Sequence, residues 1–374
     1  MPDTSKDLID IKSMTLPELT GFVTELGEKP FRGRQLYEWL HVRLASSFGE
    51  MTNLSKDLRS KLSQEALLVS ARPAEILTSQ IDGTQKYLFS LPDGNVIESV
   101  LMRYHHGNSV CISSQVGCAM GCRFCASTIG GKVRSLRASE MLEQIYRIQA
   151  LSGERVSNVV VMGTGEPLDN YDNLIRFIRL LTDENGLHIS QRSVTVSTCG
   201  LIDKITLLAQ EKLQITLALS LHAVTQEKRE KLMPIAKRYP MDRLLEACRE
   251  YFQVTGRRVT LEYSLVKGEN DSPEDAAMLG QIASGMHCHV NLIPVNPVKE
   301  RSFRRPDHSH VEAFRNRVAL SGVSVTVRRE MGADISGACG QLRRGYLDEK
   351  KKTIDNAGSG SVTAGGAGSK EIDA

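Results

Sequence analysis

Residues 109–162 decide the fold. They open with Ser109-Val110-Cys111-Ile112-Ser113, carry an amphipathic pattern over 138–151, and close with Asn158-Val159-Val160-Val161-Met162. Two short apolar runs separated by a segment of helical period make a strand–helix–strand unit. Strands apolar on both faces belong to parallel sheets covered by helices. The pattern continues outward, with strands expected at 193–197, 215–221, 259–265, 290–293 and 323–327 and helices at 172–183, 241–255, 273–286 and 308–320. Six or seven such units predict an α/β barrel, open or closed, whose chemistry gathers at the carboxyl ends of its strands.

Upstream, apolar residues recur at helical spacing in Leu16, Leu19, Phe22, Val23 and Leu26, then in Leu36, Trp39 and Leu40, then in Leu58 and Leu62. A small helical module is expected over 1–74. Two strand-like runs, 86–91 and 96–102, flank Pro92-Asp93-Gly94-Asn95, which is hairpin turn chemistry. The division expected is therefore a helical domain at 1–74, a hairpin linker at 75–104, a barrel at 105–347 and a tail at 348–374. The tail is rich in Gly, Ser and Ala without period, and reads as disordered.

Hydrophobic residues make up 41% and charged residues 24% of the 374, the balance of an ordinary globular protein. The net charge of +3 does not announce a nucleic-acid binder. Basic residues do cluster: Lys29, Arg32 and Arg34; Lys132, Arg134 and Arg137; Arg301, Arg304 and Arg305. Such clusters are either solvated faces or phosphate contacts. No apolar run reaches the ~20 residues of a membrane span, and the polar N-terminus lacks a signal-peptide core. A cytoplasmic, monomeric protein is expected. Eight cysteines in such a chain argue for metal or catalytic use over disulfides.

Three of them form Cys118-Ala119-Met120-Gly121-Cys122-Arg123-Phe124-Cys125, a C-x3-C-x2-C loop after the first barrel strand. Three thiolates on one loop suit three irons of a cubane and leave the fourth iron open. Zinc is the competing occupant, but it favours a second ligand pair, and none is visible. The motif resembles the radical S-adenosylmethionine (SAM) superfamily, in which SAM chelates the open iron of a [4Fe-4S] cluster. The likeness extends through Met162-Gly163-Thr164-Gly165-Glu166-Pro167, Val196-Ser197-Thr198, Ser220-Leu221-His222-Ala223, Asn291-Leu292-Ile293-Pro294-Val295-Asn296-Pro297 and Ala338-Cys339-Gly340-Gln341-Leu342. Together these resemble the Cfr/RlmN group of RNA methyltransferases. The resemblance implies a partial (β/α)6-type radical SAM barrel.

It also implies roles. Cys118, Cys122 and Cys125 hold the cluster. Gly165, Glu166, Ser197, Ser220, Leu221, His222 and Asn296 contact SAM. Most of these are polar residues just past an apolar strand, where a barrel presents its ligands and where turn and cap residues also occur. Glu166 is expected as an exposed carboxylate able to accept hydrogen bonds from the SAM ammonium. Cys339 is the implied methyl carrier, Cys111 its transient disulfide partner, and Glu98 the base, its apolar strand suggesting a raised pKa. Two SAM molecules serve each turnover, 23S rRNA and tRNA are the substrates at adenine C2, and a flavodoxin-like protein donates electrons. Cys248, Cys199 and Cys288 read as buried small hydrophobes. The rivals are a Cfr-like enzyme acting at adenine C8, a glycyl-radical activase, which would need the cluster but neither Cys111 nor Cys339, and a non-catalytic iron–sulfur RNA-binding protein.

Overall fold

The structure is a computed structural model describing residues 8–298 and 300–335. Cys339 and the expected tail lie outside the described residues.

The N-terminal module pairs a short strand, β1 (Ile9–Asp10), with β2 (Ala66–Leu67) around three helices: α1 (Leu16–Glu25), α2 (Phe31–His41) and α3 (Lys56–Glu65). Thr15 starts α1 with a capping box, its backbone N–H donating to Glu18 Oε2 at 2.7 Å. Close packing of α1 on α2 demands glycine at Gly33, where a Cβ would lie 2.6 Å from Thr20 Cα. Leu19, Phe22, Leu36, Leu40 and Leu58 turn inward and join the main core.

Four strands follow: β3 (Arg72–Thr78), β4 (Gln85–Ser90), β5 (Val96–Tyr104) and β6 (Gly107–Cys111). They pair antiparallel in that order. The expected hairpin is β4–β5, its turn closed by Leu91 N–H donating to Asn95 O at 2.8 Å, with Gly94 at φ +80°. It does not stand apart as a linker, because β5 pairs with β6, the first barrel strand. Between β6 and the first barrel helix lie two short antiparallel strands, β7 (Gln115–Gly117) and β8 (Lys132–Ser135).

The barrel then alternates α4 (Ala138–Ser152), β9 (Val156–Val161), α5 (Tyr171–Thr182), β10 (Val194–Thr198), α6 (Ile202–Gln210), β11 (Thr216–Ser220), α7 (Gln226–Leu232), α8 (Met241–Thr255), β12 (Val259–Leu265), α9 (Pro273–Ser284), β13 (Cys288–Pro294), α10 (His308–Ala319) and β14 (Val325–Val327). Among the described residues the main sheet has ten strands ordered β14-β13-β12-β11-β10-β9-β6-β5-β4-β3, with every pair from β6 to β14 parallel. Each unit steps one strand in the same direction. Connections of one hand therefore stack the helices on one face and leave the other concave. Among the described residues β3 and β14 do not pair, so the barrel is partial. No helix of the described residues is long and apolar enough to cross a membrane.

Candidate active site at the strand carboxyl ends

A cavity of about 500 Å³ opens at these strand ends. The cysteine loop forms part of its wall. Gly117 ends β7 at φ +76°, and a Cβ there would sit 2.0 Å from Gly131 O. That oxygen accepts the Cys118 N–H at 3.1 Å, so the bare glycine lets the loop close on its own base. Thr128 Oγ1 donates to the carbonyls of Cys122 and Cys125 at 3.1 and 3.0 Å, and Arg123 N–H reaches Leu232 O at 2.9 Å. Cys118 and Cys122 are buried and Cys125 half-buried; all three line the cavity. Burial pushes the Cys118 thiol up to about 12 and raises Cys122 as well, so loading iron must displace their protons.

On the facing strand ends, Ser197 and Ser220 bring their hydroxyls within 3.4 Å of each other. Both line the cavity, as do Gly165, Glu166, His222 and Asn296. Gly165 takes φ +116°, with a would-be Cβ 2.7 Å from Ser114 Oγ, and Gly163 lies equally close to Ile112 O. The 163–165 turn is thus pressed against the loop after β6, exposing backbone to the cavity. His222 occupies the left-handed region at φ +56°, uncommon outside glycine. Its Nδ1 accepts the Ser264 N–H at 2.9 Å, which leaves the proton on Nε2. Burial, then the Arg229 charge, lowers its pKa to about 3, so the ring is a neutral donor at physiological pH. Phe124, between two cluster cysteines, meets this ring edge-to-face at 4.9 Å.

One expectation needs correcting. Glu166 is not exposed: it is buried, and its oxygens accept the N–H groups of Leu168 at 3.1 Å and Cys199 at 2.7 Å. Burial raises its pKa despite those bonds. It braces the loops after β9 and β10. Leu221, between Ser220 and His222, is fully buried in the core, its N–H donating to Glu262 O and its carbonyl accepting Arg229 Nε.

Cys111 lines the same cavity from the end of β6, opposite Val100 of β5. Val100, Met102 and Met331 pack around it. Glu98 does not line the cavity. It is buried on β5 and ion-paired to Lys86 Nζ at 3.3 Å, so its surroundings are not the purely apolar ones its own strand suggests. Cys248 is fully buried, as expected. Cys199 is buried but lines the cavity, and Cys288 is only half-buried, its Sγ 3.5 Å from Ala283 O.

Residues 9–68 match the family described as "Ribosomal RNA large subunit methyltransferase N-terminal domain", and residues 112–279 match "Radical SAM superfamily". A relative from Lachnospira eligens, named "Probable dual-specificity RNA methyltransferase RlmN", is 60% identical over 91% of this chain and 98% of its own length. The chain belongs to the RlmN family. A second relative of that name, from Lachnoclostridium phytofermentans, is 58% identical over 91% of this chain and 96% of its own. The crystal structure of a radical SAM methyltransferase from Sphaerobacter thermophilus superposes with a TM-score of 0.86 at 42% identity, covering 89% of this chain and 98% of that one.

The chain is accordingly a radical SAM RNA methyltransferase. Its superfamily carries a [4Fe-4S] cluster and SAM, and the site fits them. Among the described residues no three His, Cys, Asp or Glu side chains converge to hold one metal ion. A cubane asks for something different, since each thiolate takes its own iron and the three ligands stand apart around the cluster. Three cavity-lining thiols on a braced loop meet that demand.

Several site residues escape sequence reading. Glu262 lines the cavity from β12, bonded by Asn291 Nδ2 at 2.8 Å and raised in pKa by burial. An acid inside the apolar run 259–265 was the available signal. Arg229 is wholly buried, donating to the carbonyls of Cys199, Ser220 and Leu221, and so ties together the ends of β10 and β11. Of the basic clusters, Lys132 pairs with Asp169, Arg134 with Asp93 and Glu140, and Arg305 with Glu330. Arg32 bonds Gln35 and Asn53, and Arg301 reaches Thr128. Lys29, Arg34 and Arg137 are exposed.

Proposed function

We propose that the chain methylates C2 of adenosine in 23S rRNA and tRNA, with Cys339 as methyl carrier and Cys111 as the thiol that releases the product. The observation that carries this reading is the placement of Cys111: a cysteine in the wall of the cavity that also holds the cluster loop. Cys339 follows Ala333, another lining residue, by six positions, a reach of at most about 20 Å.

C2 of adenine is not nucleophilic, so direct displacement on SAM fails. The Cys339 thiolate instead takes the methyl group of one SAM, a displacement that suits sulfur. When bound, the cluster supplies the electron that cleaves a second SAM and activates the carried methyl. One hydrogen atom of that methyl leaves with the deoxyadenosyl fragment of the second SAM, its carbon joins C2, and C2 gives up its proton together with the unpaired electron. Cys111 attacks the Cys339 sulfur; a disulfide forms, the carbon–sulfur bond breaks, and its electron pair stays with the carbon, which takes a proton. Glu98, on the same face of β5 as the cavity-lining Val100 and Met102, is the proposed acceptor of the C2 proton. Two electrons from a reductant of the flavodoxin class restore the thiols.

The chain's residues prepare the site. Backbone at 163–165, the Ser197 and Ser220 hydroxyls, His222 Nε2–H and Asn296 bind and orient SAM, with Glu166 and Arg229 holding their loops. The enzyme works as a cytoplasmic monomer with the N-terminal helices assisting RNA binding. The domain limits proposed are 1–74, 75–104 and 105–347, followed by a tail from 348. Labelled SAM with in vitro transcribed RNA tests the function. Label in a Cys339-containing peptide and in 2-methyladenosine supports it; label in 8-methyladenosine would assign the Cfr-like reaction instead.

A further inference from the structure

The segment after β14 runs from one edge strand of the open sheet toward the other. It lines the cavity with Arg328, Arg329, Glu330, Met331 and Ala333 and ends against the turn joining β3 to β4. There two aspartates engage reciprocally. Asp334 accepts the Ser79 hydroxyl at 2.6 Å and the Gln80 N–H at 2.8 Å. Asp82, from the turn, accepts the Gly332 N–H at 2.9 Å and its own Thr84 N–H at 2.9 Å. Gly332 takes φ +63° with a would-be Cβ 3.2 Å from Thr84 Cγ2, so the segment lies tight on the turn. The turn is itself built for this: Ser79 and Thr84 are buried and joined by a 2.8 Å backbone bond. Between the latch and the barrel, Met331 packs against the small cluster formed by Cys111, Val100 and Met102.

We infer that Asp334 and Asp82 are positioning residues for the methyl transfer: they latch the 328–335 strap across the cavity mouth, so that Met331 covers Cys111 and the chain leading to Cys339 departs from a fixed point. This rests on the proposed roles of the two cysteines, but the latch itself does not. All bonds donated to it go to carboxylate oxygens. At Asp82 both oxygens accept N–H groups, so an amide must turn its NH₂ toward one of them and lose that contact; at Asp334 an amide can keep the Gln80 N–H only by turning its NH₂ to the Ser79 hydroxyl, which loses the carboxylate it donates to. Both carboxylates are held below their ordinary pKa, Asp82 at about 2, by hydrogen bonds that outweigh the opposing effect of burial, so the latch stays charged and closed at neutral pH.

The test uses the full chain with its cluster loaded. Asp334→Asn, Asp82→Asn and the double variant are alkylated with iodoacetamide, and each cysteine is followed by peptide mass spectrometry, with amide exchange over 329–335 measured alongside. The double variant is expected to label Cys111 at least tenfold faster and to exchange faster in the strap, while the buried Cys248 and the iron content stay as in the parent. Its kcat for RNA methylation falls at least tenfold with KM for RNA within twofold, and Asp334→Glu regains part of that loss. Unchanged Cys111 labelling would overturn the latch, as would Cys248 labelling rising in step with Cys111, which signals general loosening. A rise in RNA KM at constant kcat would overturn the positioning role and make the strap an RNA contact. If the product proves to be another base while Cys111 protection still depends on the aspartates, the latch stands and only the proposed function fails.

Discussion

Replacing Gly117 by alanine tests how the cluster loop is held. Gly117 sits at φ +76°, where an L-residue costs about 1–2 kcal/mol. The added Cβ would also stand 2.0 Å from Gly131 O, so the two backbones must part by at least 1 Å to restore a tolerable contact. That oxygen accepts the N–H of the buried Cys118, and leaving this donor without its partner costs a further ~1–3 kcal/mol. The sum, roughly 2–5 kcal/mol, falls on the ligand that opens the motif. The assay is iron per chain after anaerobic reconstitution, with the 400 nm region absorbance as a second readout. Gly117→Ala should hold less than half the parent's iron. Gly130→Ala is the control: its φ is also positive, at +91°, but open space surrounds it, so only the conformational cost applies and iron should be retained. A Gly117→Ala protein that loads and keeps iron like the parent would refute the reasoning.

Other outcomes follow from buried charge and exposed base. His41 is fully buried beside Tyr146, and burial lowers its pKa to about 3. The unfolded chain therefore binds this proton below pH 6.5 while the folded chain refuses it, which removes about 2 kcal/mol of stability between pH 7 and pH 5. Urea unfolding of His41→Leu should lose that much less over the same interval; an identical loss would show the group is not buried neutral. Lys86→Met leaves Glu98 buried without its cation and should lower stability by roughly 3–5 kcal/mol, with Lys86→Met/Glu98→Leu recovering most of it. Equal urea midpoints for the two variants would contradict the pairing. Reversing the exposed Lys29 and Arg34 to Glu should weaken RNA binding and lower the salt-dependence slope by about one per lost phosphate contact, whereas an unchanged slope would place RNA elsewhere.

Much of this protein is legible in its residues. The apolar runs around Val159 and Leu261 mark strands buried on both faces, and only a parallel sheet under helices satisfies them. The cysteine spacing announces its chemistry because few structures need three thiols on eight residues. What escaped detection depends on direction and on distant partners. Helix α7 has seven residues, too few for its period to register. Leu221 and His222 are neighbours at one strand end, yet the left-handed turn at His222 sends one side chain to the core and the other to the cavity. Glu166 looks like a free acid until the Cys199 N–H, 33 residues away in sequence, reaches its carboxylate. Glu98 likewise stands alone among apolar neighbours in its own strand, and only the fold of β4 brings Lys86 beside it. The latch between Asp334 and Ser79 spans 255 positions, beyond any local pattern.

The central claim is best tested by nucleoside mass spectrometry of RNA treated with the cluster-loaded protein, SAM and reductant. The parent protein should yield 2-methyladenosine, and Cys339→Ala and Cys118→Ala should yield none. Methylation that persists in Cys339→Ala, or a product that is 8-methyladenosine, would contradict the account.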